Sequence, residues 1–162
     1  MKANEMWKLY INSEAYNKAK NENTDNTAAC NNAAAYDTWA FGADSDKLAQ
    51  LVLSGEKTAT SSSYPLYETY GEELPREGEY SVILNSRDEA VCVIITTRVY
   101  VIPFSEVSEH HAYSEGEGDK SPEYWRSVHR DFFAEELREA GLEFTEDMLV
   151  VCEEFKVVYK IS

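Results

Sequence analysis

Ala90-Val91-Cys92-Val93-Ile94-Ile95-Thr96-Thr97-Arg98-Val99-Tyr100-Val101 is the stretch whose reading decides the fold. It is β-branched through most of its length and apolar on both alternating faces. That pattern predicts a long central strand covered on both sides. Pro103 ends it, and a short helix is expected over 104–109. Upstream, Tyr80–Leu84 reads as a strand and Asn85–Glu89 as a turn. Downstream, the segment from Val150 to Ile161 alternates: Val151, Phe155, Val157, Tyr159 and Ile161 share one face, with Glu154, Lys156 and Lys160 on the other.

Two amphipathic helices flank these strands. Asp44 or Ser45 caps the first, Leu48, Leu51 and Val52 form its apolar stripe, and Gly55 lies where a left-handed cap is wanted. Ser121 caps the second, with Pro122 at its first position and Gly141 beyond its end. Trp125, Val128, Phe132 and Leu137 line one side of it. Strands mixed with few helices predict an α+β domain, a small curved sheet or open barrel with flanking helices.

Residues 1–35 stand apart. A single amphipathic helix is expected over 3–20, followed by a polar connector, Asn21 to Thr27, whose Asn and Asp favour local side-chain bonding. Two roles are open for this segment: packing on the barrel, or self-association into a homodimer. The main body runs over 36–162, and Ser61–Glu79 within it reads as turn residues with tyrosine and leucine anchors.

The chain has 162 residues, enough for a core without disulfides or metals. Its net charge of -15 opposes broad binding to a phosphate backbone, which relies on Lys and Arg patches. A nucleoside or a short single strand in a local groove stays compatible with it. No apolar run approaches the ~20 residues of a membrane helix, so no membrane partner is expected and the default location is cytoplasmic. Cys30, Cys92 and Cys152 form no CxxC pair, and Cys92 and Cys152 sit in strand-like apolar runs as core residues.

The candidate site residues fall in three places. In Gly55-Glu56-Lys57-Thr58-Ala59-Thr60, a desolvated lysine could activate a threonine three residues on for attack on a carbonyl. The plain alternative is a solvated lysine before a threonine-rich strand, and the phosphate-loop pattern GxxxxGK[ST] is absent. Glu115-Gly116-Glu117-Gly118-Asp119 offers paired carboxylates for acid–base work, or is an acidic loop before a helix N-terminus. His129 shares a helix face with Trp125, as pocket wall or core. His110 and His111 are adjacent, and no histidine has metal-ligand spacing, so no metal or cofactor is expected. Tyr64, Tyr67, Tyr70, Tyr113, Tyr124 and Trp125 could stack a base, or fill the core.

Several motifs then fall in one order: Trp39-Ala40-Phe41-Gly42, Leu48-x-x-Leu51-Val52-Leu53-x-Gly55-x-Lys57-Thr58-Ala59-Thr60, Leu74-Pro75-x-x-Gly78, Pro103-Phe104, and Glu115-Gly116-x-Gly118-Asp119-x-Ser121-x-x-x-Trp125-x-x-x-His129-x-x-Phe132-Phe133. From Tyr36 to the C-terminus the chain resembles the ASCH domain family. The resemblance implies a PUA-like fold, a small mixed β-barrel with helices around it, and a role with RNA or modified nucleosides. Some small bacterial members hydrolyse the acetyl amide of N4-acetylcytidine with a lysine and a threonine from the GxKTxT turn and a later glutamate. Carried over, these are Lys57, Thr60 and Glu115, the last matched through His111-Ala112. Ser62, Tyr64, Asp119, Trp125 and His129 become the candidate ligand-binding residues. Where several members carry arginine two residues after the threonine, this chain has Ser62. That departure disfavours ribonuclease chemistry, which needs cationic help. It leaves amidohydrolysis of an acylated nucleoside first, a non-catalytic RNA- or nucleotide-binding module second, and ribonuclease third.

Overall fold

The computed structural model describes residues 1–22 and 35–161. Within these residues five strands form one mixed sheet: β1 (Tyr36–Trp39), β2 (Ala59–Ser63), β3 (Tyr80–Leu84), β4 (Ala90–Pro103) and β5 (Leu149–Lys160), in the order β1-β3-β4-β5-β2. Only β1 and β3 run parallel; the other pairs are antiparallel. The long β-branched run is indeed internal: β4 pairs on both sides and buries Cys92, Val93 and Ile94 completely. The sheet has two edges yet curls enough for all five strands to reach one cavity, through residues such as Trp39, Thr60, Ser81, Thr96 and Glu153. The result is the α+β open barrel with flanking helices expected of the sequence.

Among the described residues six α-helices surround the sheet: α1 (Ala3–Ile11), α2 (Glu14–Glu22), α3 (Ser45–Ser54), α4 (Tyr64–Tyr70), α5 (Glu109–Glu115) and α6 (Pro122–Glu139), with a 3-10 turn at Phe104–Glu106. The helix expected over 3–20 is broken in two at Asn12 and Ser13. There Asn12 bonds back to the Lys8 carbonyl, and the Ser13 hydroxyl both donates to the Tyr10 carbonyl and accepts from the Tyr16 N–H. Short polar side chains that satisfy the backbone locally favour such breaks. α1 packs on the sheet, burying Met6, Trp7 and Tyr10 against Val82 and Val93. Most of the polar connector, and Cys30, lie outside the described residues.

Two elements differ from the sequence reading. Residues 61–70 hold strand and helix where turns were expected: Ser61–Ser63 completes β2, and Pro65 sits in the first turn of α4, which Gly71 closes at φ 65°. Of the stretch read as an acidic loop, Glu115 to Asp119, Glu115 belongs to a helix, because α5 starts at the Ser108 cap and ends on Gly116 at φ 72°. Both α3 and α6 match their caps: Asp44 accepts from the Lys47 N–H, and Ser121 from the Tyr124 N–H.

Three apolar clusters hold the layers together. α3 packs Leu48, Ala49 and Val52 on Ile83, Cys92, Ile94 and Phe155. α6 packs Trp125, Phe133 and Leu137 on Phe104, Val150 and Cys152. Each large side chain buried in this way contributes roughly 1.5–3 kcal/mol. Burial also pushes the Cys92 and Cys152 thiols up to about 12, so both are inert core residues. Among the described residues no helix is long and apolar enough to cross a membrane.

Candidate active site

The site starts where α3 stops. Gly55 takes the left-handed conformation at φ 80°, and the Glu56 and Lys57 N–H groups fold back onto the Leu51 carbonyl. The chain then crosses to α5 and β5, with the Thr58 N–H bonded to the Ser114 carbonyl and the Phe155 N–H to the Thr58 carbonyl. This double anchoring points Lys57 inward, where its side chain is 1% exposed. Phe41 covers it from above, with Nζ 5.1 Å from the ring centre.

Three acceptors surround Lys57 Nζ: Glu115 Oε2 at 3.1 Å, Glu117 Oε2 at 3.2 Å and the Glu115 carbonyl at 3.4 Å. They match the three N–H bonds of an ammonium. The lysine therefore stands in the site paired to two carboxylates. Gly116, between the two glutamates, is required. A Cβ there would stand 2.2 Å from the Glu56 carbonyl oxygen.

Glu115 is the hub. Its Oε1 accepts from Trp125 Nε1 at 2.8 Å, from His111 Nε2 at 3.1 Å and from the Ser61 hydroxyl. Its Oε2 takes Lys57, with His129 Nε2 at 3.4 Å. Burial opposes ionisation of this carboxyl, but the charges of Lys57 and His129 and the histidine hydrogen bonds overcome it and hold Glu115 well below the usual carboxylate range. Both oxygens are occupied, which leaves no free atom to carry a proton to or from a ligand. His129 responds in the opposite sense. Burial disfavours its charge, and the Glu115 carboxylate, together with hydrogen bonds to Glu115 and the Trp125 carbonyl, outweighs burial and raises it.

Glu115, Glu117 and His129 each bring a potential metal-ligand atom within 4.8 Å of the others. Lys57 Nζ stands between the two carboxylates, so an ammonium takes the position a cation would fill.

This cluster forms one wall of a cavity of about 770 Å³, a size that suits a small organic ligand. Thr60 and Ser62 face the cavity from β2, and Trp39, Phe41 and Phe132 give it aromatic surface. The Thr60 hydroxyl has no hydrogen-bond partner among the described residues, whereas Ser62 pairs with the Tyr67 hydroxyl at 2.9 Å. Among the described residues Lys57 is the sole lysine or arginine on the cavity wall, while Asp37, Glu79, Glu136 and Glu153 add carboxylates.

Of the residues singled out in the sequence, Lys57, Thr60, Glu115, Ser62 and His129 meet around this cavity. Trp125 stands behind it, buried, stacked on His129 at 4.3 Å and bonded to Glu115. Tyr64 begins α4 outside the lining, and Asp119 is exposed, its carboxylate accepting from the Ser121 N–H at 2.9 Å. Sequence reading missed Ser61 and Glu153 and gave His111 no role, while Tyr67, one of the tyrosines read as a base stacker or core residue, lines the cavity. His111 and Glu115 lie four apart on α5, a signal that becomes visible once 109–115 is read as helix.

Comparison with known proteins concerns the chain as a whole. The ASCH domain family model matches residues 37–159. The crystal structure of an ASCH domain from Lactobacillus crispatus JV V101 is 35% identical, with a TM-score of 0.79 over 96% of this chain and 95% of that one. A protein from Enterococcus faecalis V583 is 34% identical, with a TM-score of 0.72 over 94% and 88% of the two chains. No curated protein matches the chain.

Proposed function

The chain belongs to the ASCH domain family, with its PUA-like fold, and from that premise we propose that it is a hydrolase of acylated nucleosides, N4-acetylcytidine being the reference substrate. The observation that carries this reading is the shared cavity. A free threonine hydroxyl and a buried, ion-paired lysine face the same aromatic-lined space. Thr60 is the nucleophile and attacks the acyl carbon. Lys57 acts as a cation: its Nζ exchanges the bond to Glu117, the more exposed of its two carboxylates, for the developing oxyanion. Glu115 works through Lys57 by pairing with it and aiming it.

The carboxylate-rich lining supports an unphosphorylated nucleoside over a nucleotide or a long RNA, since each phosphate would meet several like charges and one lysine. Without turnover, the same aromatic surface supports the second reading, a nucleoside-binding module. Ribonuclease action has the least support, with no arginine or second lysine on the wall among the described residues.

The test is purified protein with free N4-acetylcytidine, read as loss of the acetyl group. Turnover is expected, with Lys57→Ala and Thr60→Ala each at least ~100-fold slower. Binding without turnover selects the second reading, and unchanged turnover in either variant overturns the assignment.

A further inference from the structure

Amide hydrolysis through a threonine needs a group that takes the hydroxyl proton and later hands it to the leaving amine. That group needs an atom free in the cavity. Glu115 has none, as both of its oxygens are filled. Glu117 is paired to Lys57, and both ring nitrogens of His129 face acceptors, the Trp125 carbonyl and Glu115.

Glu153 meets the requirement. It lies on β5 directly opposite Thr60 on β2, so the two side chains leave the same face of the sheet, and both line the cavity. Directly opposed residues in an antiparallel pair have Cβ atoms ~4.5–5.5 Å apart, within reach of a glutamate directly or through one water. One oxygen is held by the Thr96 hydroxyl at 2.7 Å, and the other has no partner among the described residues. Glu136 also borders the cavity, but from α6 and not from the strand that pairs with Thr60.

Building on the hydrolase reading, we propose that Glu153 is the proton-transfer residue of the Thr60 reaction. As Thr60 Oγ bonds to the acyl carbon, its proton passes to the free Glu153 oxygen. When the C–N bond breaks, that proton goes to the leaving amine, leaving an acyl ester on Thr60. A water then attacks the ester carbon and gives its proton to Glu153, which returns it to Thr60 Oγ as the C–O bond breaks. Amide and water become carboxylic acid and amine, and Glu153 ends as it began.

The electrostatics agree with this geometry. Burial raises the Glu153 carboxyl, the Thr96 hydrogen bond partly offsets that, and the charge of Glu79 adds to the rise. A carboxyl moved toward neutrality is a better proton carrier at physiological pH. The groups facing it are Thr96 on β4, Thr60 on β2, Glu79 ahead of β3, Tyr67 on α4 and, across the cavity, Glu136 on α6.

The test measures kcat/KM on N4-acetylcytidine for wild type, Glu153→Gln and Thr96→Val. Glu153→Gln, which keeps a group able to accept from Thr96, is expected to lose ~100-fold or more. On 4-nitrophenyl acetate, whose leaving group needs no proton, its loss should be markedly smaller. Thr96→Val removes a bond that favours the charged carboxyl, so the acidic limb of the pH profile should move to higher pH. This second readout holds even if Glu153→Gln fails to fold. Glu153→Gln within threefold of wild type, or an acidic limb unmoved in Thr96→Val, overturns the role of Glu153 while leaving the hydrolase reading intact. A wild type inactive on both substrates overturns that reading and the role with it.

Discussion

The two walls of the cavity are built on opposite plans. On the Lys57 wall every polar atom facing Glu115 is paired: two oxygens meet five side chains, and the lysine has its three acceptors. On the Glu153 wall each group is only partly engaged. Among the described residues Thr60 is free, Glu153 is held by one oxygen, and Ser62 and Tyr67 hold only each other. A saturated network fixes geometry and charge, whereas an open one leaves atoms for a ligand. The first wall orients and the second one reacts.

The largest effect should come from breaking the closed wall at its centre. Lys57→Met leaves Glu115 buried without its main counter-charge and should cost about 3–5 kcal/mol in denaturant unfolding, besides abolishing turnover. Adding Glu115→Leu should restore much of that stability and none of the activity, which separates holding the fold from doing the chemistry.

Next comes Trp125→Phe, which removes the indole donor from the same carboxylate. Hydrogen bonds to charged groups are worth ~1.5–3 kcal/mol, and a stability loss in that range is expected from thermal or urea unfolding. Gly116→Ala should cost about 1–3 kcal/mol through its left-handed φ of 72°, with a further loss as Glu56 is pushed aside.

The closed wall also sets a pH signature. Glu115 is lowered in the folded protein, so its contribution is complete above its ordinary value of 4.5 and is lost as pH falls through the lowered one. The stability gap between wild type and Glu115→Gln should therefore shrink on acidification, as read by urea unfolding at stepped pH. His129 has the opposite sign. Its contribution is complete below 6.5 and fades as pH rises through its raised value. The smallest effect is expected on the open wall: Tyr67→Phe removes one neutral hydrogen bond to Ser62 and should cost ~0.5–1.5 kcal/mol.

What the sequence revealed follows the same division. β4, α3 and α6 were legible because strand composition, helical spacing and caps all agree there. The Lys57 turn was legible as a helix end, and its company came from motif order. The serine-rich β2 and the tyrosine-rich α4 lack a clear apolar period, so they read as turns. Ser61 was hidden for that reason. α5 is hard to read because its Glu and His surface resembles a loop, although Ser108 and Gly116 mark its ends. Glu153 left a different trace. It occupies the same parity as Val151 and Phe155, so a carboxylate stands where strand alternation calls for an inward apolar residue. A charge at an inward position of a strand is a reason to look for a site.

The most direct measurement of the central claim is where the acyl group goes. Glu153→Gln can be incubated with 4-nitrophenyl acetate, whose leaving group needs no proton, so that the acyl ester forms but its hydrolysis lacks a base; the protein is then quenched, digested and read by fragment-ion mass spectrometry. The acetyl group is expected on Thr60 and absent from Thr60→Ala. Acetylation of the neighbouring Ser61, or wild-type turnover by Thr60→Ala, would contradict a nucleophile on the open wall.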